Sequence, residues 1–258
     1  MKRVFEAGFV VLTLSTGSQL SGQDIVRPGS PTVQTTALGE FKGSFDLVLV
    51  SGQEERTTTS VTRSLSSVGW EGERAFVLAQ QYRTTEGVPT DTDSSWVAAD
   101  DLRPLAYRAQ VGEEQQSVDF LSDGAHGTIV SPDSSRSLFH PEAVGAFNSV
   151  SEDVVIGSLP LRDGYSATIH LYSPGRGTAT VDVVVEGVEQ LPVLGGEQAA
   201  WRIRYMSGIE SWFWFDVESR QLIRSRTALP DGSEFWRVKT EDLDAWRSTR
   251  RPVPTSGG

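Results

Sequence analysis

Ser94-Ser95-Trp96-Val97, followed by Asp100-Asp101-Leu102-Arg103-Pro104-Leu105 and then Ala106-Tyr107-Arg108, has a counterpart late in the chain. There Trp212-Phe213-Trp214-Phe215 runs through Asp216-Val217-Glu218-Ser219-Arg220-Gln221-Leu222 into Ile223-Arg224-Ser225-Arg226. Each stretch reads as an aromatic strand, an acidic turn and an Arg-bearing strand. The doubling predicts a single antiparallel β-architecture of two similar halves and excludes folds that depend on βαβ crossovers. It names no reaction.

Outward from these hairpins, apolar and polar residues alternate with period two from Gly39 onward, broken by turn formers. The first half offers strands over Phe41 to Ser51, Thr57 to Leu65, Arg74 to Tyr82, Ser94 to Ala99, Leu105 to Val111 and Gln115 to Leu121. The second offers Ser166 to Tyr172, Thr178 to Glu186, Glu197 to Met206, Ser211 to Asp216, Leu222 to Ala228 and Glu234 to Thr240. Between them, near residues 150–159, apolar residues fall at helical spacing, with Ser149 or Ser151 as N-cap and Pro160 as the stop. The expected fold is mainly β: a curved antiparallel sheet or half-barrel of about ten to twelve strands, with one short helix packed at its mouth or concave face.

The ends read differently. Met1-Lys2-Arg3 and the apolar run from Ala7 to Leu14 resemble an export signal over residues 1–23, too short to span a bilayer. Glu6 and the lack of Ala-x-Ala before Asp24 depart from that pattern, and the alternative is a buried first strand. Residues 24–37, rich in Pro, Ser and Thr, read as a flexible linker. A single domain is expected over 38–246, with a helical turn beginning at Leu243 and a disordered tail over 247–258.

The 258 residues, 38% hydrophobic and 22% charged, are enough for one sizeable β-domain. A net charge of −11 excludes nucleic acid as a partner, since binding there rests on Lys and Arg displacing counterions. The charge favours a soluble monomer. No segment after the signal reaches the roughly 20 apolar residues of a membrane helix. With no cysteine, stability must come from packing, and thiol catalysis and zinc-thiolate sites are excluded.

Local motifs for chemistry are weak. His126, His140 and His170 have no ligand spacing, so no metal is expected. Asp91-Thr92-Asp93-Ser94-Ser95 imitates a calcium loop but has Trp96 where the sharp turn needs Gly, and reads as a polar hairpin connection. No nucleophile elbow or phosphate loop is present, so no catalytic residue and no cofactor are expected. The aromatic strands say more. Trp201, Ile203 and Tyr205 share a face, and Trp212 and Trp214 oppose Phe213 and Phe215. A strand aromatic on both faces has apolar neighbours on both sides. The plainer reading is a central strand between core and helix. The functional reading is a ligand groove formed by Trp96, Tyr107, Trp201, Tyr205, Trp212, Trp214 and Arg224. Such a groove could bury a sixteen-carbon acyl chain for on the order of 12 kcal/mol before ordering costs.

Three passages together resemble the bacterial domain of unknown function 3108 family: Asp100 to Leu105 as Asp-x-Leu-x-Pro-Leu, Leu159 to Tyr165 as Leu-Pro-Leu-x-x-Gly-Tyr, and Trp214-Phe215-Asp216. The resemblance spans Leu38 to Lys239. It implies an envelope protein with a half-barrel sheet and a helix at its mouth, similar to the LolA-like lipoprotein carriers, which hold acyl chains between sheet and lid. It carries over no catalytic residue. The sequence therefore leads to a non-enzymatic periplasmic or otherwise exported protein that binds a lipid or other apolar envelope ligand. The alternative is an envelope interaction or assembly module with a packed core and a protein partner. A hydrolase with a dispersed site comes third.

Overall fold

The computed structural model describes residues 24–250, so the expected export signal lies outside the described residues. The strands are β1 (Asp24–Val26), β2 (Phe41–Ser51), β3 (Glu54–Trp70), β4 (Glu73–Arg83), β5 (Pro89–Ala98), β6 (Pro104–Val111), β7 (Glu114–Leu121), β8 (Gly124–Ser131), β9 (Ser134–His140) and β10 (Phe147–Asn148). After helix α1 (Glu152–Gly157) come β11 (Ser166–Ser173), β12 (Gly177–Val193), β13 (Gly196–Met206), β14 (Glu210–Asp216), β15 (Leu222–Ala228) and β16 (Glu234–Lys239), then helix α2 (Leu243–Arg250).

All 16 strands belong to one open sheet. Strands β2 to β9 form one meander and β11 to β16 another, because short turns leave consecutive strands antiparallel. One ladder joins the halves, from Glu234 opposite Val50 to Lys239 opposite Phe45. β1 and β10 add parallel to β11 at the far edge. The two ends of the sheet approach each other: Tyr172 of β11 lies 5.5 Å from His140 of the edge strand β9 and meets Phe120 of β7 edge to face at 5.6 Å. The count exceeds the expected ten to twelve. β1 and β10 are three and two residues long, too short to show a period. β8 and β9 are rich in Gly and Ser, and β9 buries a single apolar side chain, Leu138.

The twin hairpins are the same structure. In the first, Ala98 N–H donates to the Arg103 carbonyl at 2.8 Å and Leu102 N–H to the Ala98 carbonyl at 3.0 Å. In the second, Asp216 N–H donates to Gln221 at 2.9 Å and Arg220 N–H to Asp216 at 3.0 Å. Leu102 and Arg220, equivalent in the two turns, both sit in the left-handed region at φ 58° and 55°. A strand irregularity follows Trp96 in one and Trp214 in the other. The strain of a bulky residue at positive φ is offset by what each side chain does. Leu102 is buried in the core, while Arg220 donates to the Leu159 carbonyl at 2.8 Å just beyond α1.

Period two sorts the two faces of the sheet. Phe45, Leu47, Val61, Leu65, Leu78, Ile203, Tyr205, Phe213 and Phe215 point inward. They enclose α1, whose Val154, Val155 and Ile156 belong to the same core cluster, each such side chain worth about 1.5–3 kcal/mol. A side chain at Gly157 would place its Cβ 2.9 Å from the Arg220 carbonyl oxygen, so only glycine lets the second hairpin close on the helix. On the outer face Trp212, Trp214, Trp236, Val48 and Val50 form a second cluster, with Trp246 of α2 laid over it.

Two expectations about the ends are corrected. Residues 24–37 are a strap, not a flexible linker: Val26 is fully buried, Gly29 N–H donates to the Asp101 carbonyl at 3.2 Å, and Gln34 N–H to Ser158 at 2.8 Å. A turn-rich composition looks like a tether whether or not its backbone is pinned. The tail expected to be disordered from 247 begins inside α2, where Arg247 Nε donates to Glu55 Oε1 at 2.6 Å. Residues 251–258 lie outside the described residues.

Candidate functional site

Strand β3 alternates Val61, Arg63 and Leu65 on its inner face, and this carries a guanidinium into the core. Arg63 is 1% exposed. It grips Asp153 of α1 through both terminal nitrogens, with Nη2 donating to Oδ1 at 2.8 Å and Nη1 to Oδ2. Burial alone would raise the Asp153 pKa, but the charge and hydrogen bonds of Arg63, with help from Arg237, hold the carboxyl below its usual range. Asp153 Oδ1 also accepts the Val154 N–H at 3.1 Å.

Around this pair lie further ionisable groups. Tyr205 Oη on β13 donates to Glu152 Oε2 at 2.9 Å. Burial pushes Glu152 up to about 7, against the opposing pull of Arg237 and of the Tyr205 hydrogen bond. Asp93 on β5 accepts from Gln80 Nε2 at 3.0 Å, and burial lifts it to about 6. Tyr82 on β4 is raised to about 12, by burial first and by Asp93 second. Arg237 enters from β16, and among the described residues its side chain forms no hydrogen bond or ion pair; burial first and Arg63 second disfavour its charge. Acids, arginines and tyrosines with shifted pKa values thus converge at one end of α1, the pattern expected where a fold concentrates function.

A slot in the wall leads toward this cluster. β16 ends at Lys239, whose partner is Phe45, so Phe41 to Ser44 of β2 have no partner on that side. Likewise β15 begins pairing with β16 only at Arg224. The notch between them is a slot of ≈ 370 Å³ lined by Phe41, Lys42, Phe45, Leu222, Lys239 and Glu241 among others. A smaller space of ≈ 20 Å³ shares Phe41, Gln221 and Leu222 with it and reaches Leu65, Asp153, Val154 and Phe215.

The seven residues expected to form a groove are not brought together. Trp201 and Tyr205 face inward against α1 and its surrounding core. Tyr107 is buried in a separate cluster with Val118, Ile129 and Tyr172. Trp96 stands on the outer face against Trp70, ring centroids 5.3 Å apart. Trp212, Trp214 and Arg224 are also on the outer face, where Arg224 lies 5.0 Å over Trp214 and Arg226 4.9 Å over Trp212. Trp214 Nε1 donates to Glu189 Oε1 at 2.7 Å and Trp236 Nε1 to Glu234 Oε2 at 2.8 Å. That face is a lattice of stacked Arg and Trp closed by carboxylates. Asp91-Thr92-Asp93 lies within β5, not in a hairpin connection. The signals for the interior cluster were present in the sequence: a charge between two apolar residues of one strand face, and Glu152-Asp153 opening an apolar helix.

An open, barrel-like antiparallel sheet with a helix and a charge cluster inside it defines the class of protein. The chain belongs to the family described as "Protein of unknown function (DUF3108)", which matches residues 44–239. No curated protein matches the chain. Among solved structures, it is similar to a beta-barrel-like protein of domain of unknown function DUF1849 from Brucella abortus, at 12% identity and TM-score 0.50 over 81% of this chain and 98% of that one. It also matches a Bacteroides fragilis protein named as exported and YmcC-like in fold, at 9% identity and TM-score 0.35 over 78% and 94% of the two chains. A Parabacteroides distasonis protein named as a lipoprotein matches at 7% identity and TM-score 0.35 over 85% and 99%. No helix among the described residues is long and apolar enough to cross a membrane.

Proposed function

We propose that this is an exported, non-enzymatic envelope protein that binds an apolar or amphipathic ligand. The sequence pattern of residues 1–23 supports export. The concave face, where the aromatic strands suggested a ligand and where LolA-like carriers hold acyl chains, is occupied here by α1, so the ligand space moves to the wall. The carrying observation is the slot of ≈ 370 Å³, which falls within the roughly 300–1,000 Å³ of small-ligand sites. Its walls join Phe41, Phe45 and Leu222 to the apolar core. In the test, the mature chain is purified from its native membrane extract, weighed by native mass spectrometry and melted with and without added lipids. Retained lipid and a raised Tm are expected. A chain that never carries lipid and gains no stability contradicts the reading.

A second reading, an envelope interaction module with a packed interior, is favoured by a different observation. Residues 153–157 are buried throughout, and the outer Arg and Trp lattice presents a broad ordered face. On this reading the same mass spectra show bare protein, and a protein partner copurifies with the chain.

A further inference from the structure

We infer that the slot takes a single-chain anionic amphiphile, with its acid head between Lys42 and Lys239 and its chain along Phe41, Phe45 and Leu222. This rests on the binding reading above and adds the charge and the size of the ligand.

Lysine usage carries the inference. Of 23 basic residues only Lys2, Lys42 and Lys239 are lysines, and both that lie among the described residues line this one slot. Elsewhere the cations are arginines, and many are committed to structure: Arg202 and Arg204 to Glu186, Arg224 to Glu189, Arg226 and Arg250 to Glu234. Among the described residues the side chain of neither slot lysine makes a hydrogen bond or ion pair. Arginine's planar fork suits fixed bidentate partners, whereas lysine is a compact charge on a mobile stem, suited to a head group that comes and goes.

The charge balance is local. Lys42, Lys239 and Glu241 are the charged groups lining the slot, two positive and one negative, in a chain whose formal charge is −11. The slot lining is thus locally net positive in a net acidic chain. At the inner end the adjoining space is only ≈ 20 Å³, room for about one water, so an acid head stays in the wider slot with the lysines. The volume lies near the lower end of the ligand-site range, which fits one short chain and excludes a two-chain lipid. Each methylene placed on Phe41, Phe45 and Leu222 strengthens binding about fourfold.

The probes are laurate, methyl laurate and inorganic phosphate, titrated calorimetrically into the delipidated chain. The variants are Lys42→Gln, Lys239→Gln, the double variant and Glu241→Gln. Laurate is expected to bind the parent, to bind the double variant roughly tenfold more weakly, and to bind Glu241→Gln a few-fold more tightly. Methyl laurate should bind parent and double variant alike, and phosphate alone should not register. Unchanged melting temperatures are expected for the lysine variants, because their side chains make no bonds. Equal laurate affinity in parent and double variant, or a methyl ester as tight as the acid, overturns the inference and leaves ligand binding standing. If neither probe binds, both readings fall.

Discussion

Arginine meets carboxylate and aromatic ring on both faces of the same sheet, with opposite consequences. Inside, Arg63 has one partner, Asp153, and both are almost wholly buried. Outside, Arg202, Arg204, Arg224 and Arg226 share Glu186, Glu189, Glu210 and Glu234 in part-exposed positions, and Arg202, Arg224 and Arg226 lie over Trp212, Trp214 and Trp236. A desolvated pair is all or nothing, since removing one member strands the other charge away from water. A wet lattice is redundant, since each member keeps other partners and solvent screens what is lost. Interior charge therefore fixes where α1 sits, and exterior charge covers apolar tryptophan surface.

The contrast is broken most severely at Asp153. Asp153→Ala is expected to destabilise by about 3–5 kcal/mol in urea unfolding, because Arg63 is left uncompensated. A double replacement, Arg63→Met with Asp153→Leu, should recover most of that loss. If the double replacement is as unstable as the single one, the pair does more than balance its own charge.

Glu152 sharpens the comparison through pH. Its folded pKa, about 7, lies above the ordinary 4.5, so the folded chain keeps a proton that the unfolded chain releases. This stability is complete below about pH 4.5 and is lost as pH rises toward 7. Asp93, raised from 3.8 to about 6, acts in the same sense. Asp153, held low, acts oppositely: its contribution is present above the usual aspartate pKa and lost in acid. Stability should therefore peak near about pH 5 and fall by on the order of 2 kcal/mol by pH 8. Glu152→Gln keeps the Tyr205 contact without the charge and should flatten most of that fall, as read from urea midpoints at the two pH values.

On the outer face Arg224→Ala should cost about 1 kcal/mol, from lost stacking on Trp214 and lost cover, with neighbouring arginines compensating. Smallest of all is Arg103→Ala, which breaks an exposed pair with Glu73 at 3.1 Å near the first hairpin. It should shift stability by roughly 0–0.5 kcal/mol. A thermal melt that ranked Arg103 above Arg224 would contradict the distinction between lattice and isolated pair.

Much of this architecture was legible in the residues because period two survives in long strands. The twin hairpins were readable because both carry an aromatic strand, an acidic turn and an Arg-bearing strand in the same order. Leu102 and Arg220 are not turn formers by type, and their shared conformation emerged only in three dimensions. The strap over residues 24–37 was missed because hydrogen bonds to Asp101 and Ser158 leave no trace in composition. The aromatic residues read as one groove in the sequence but lie in separate clusters. Alternation assigns a face, but it does not say that Trp212 and Trp214 look outward into the cluster joined by Trp246 of α2 while Tyr205 looks inward onto α1. Arg63 and Asp153 are 90 residues apart, so only the fold reveals their pairing. The slot depends on β16 stopping at Lys239 while β2 continues, a difference in strand length that no local motif encodes.

Hydrogen exchange with and without laurate tests most directly whether α1 is a fixed plug and the wall slot is the entry. The expected result is slow exchange at Val154 to Leu159 in the free chain, unchanged by ligand, with new protection at Phe41 to Phe45 and at Gln221 and Leu222. Fast exchange across α1 that laurate suppresses, with no change at the slot, would make the helix a movable lid over the concave sheet and contradict the account.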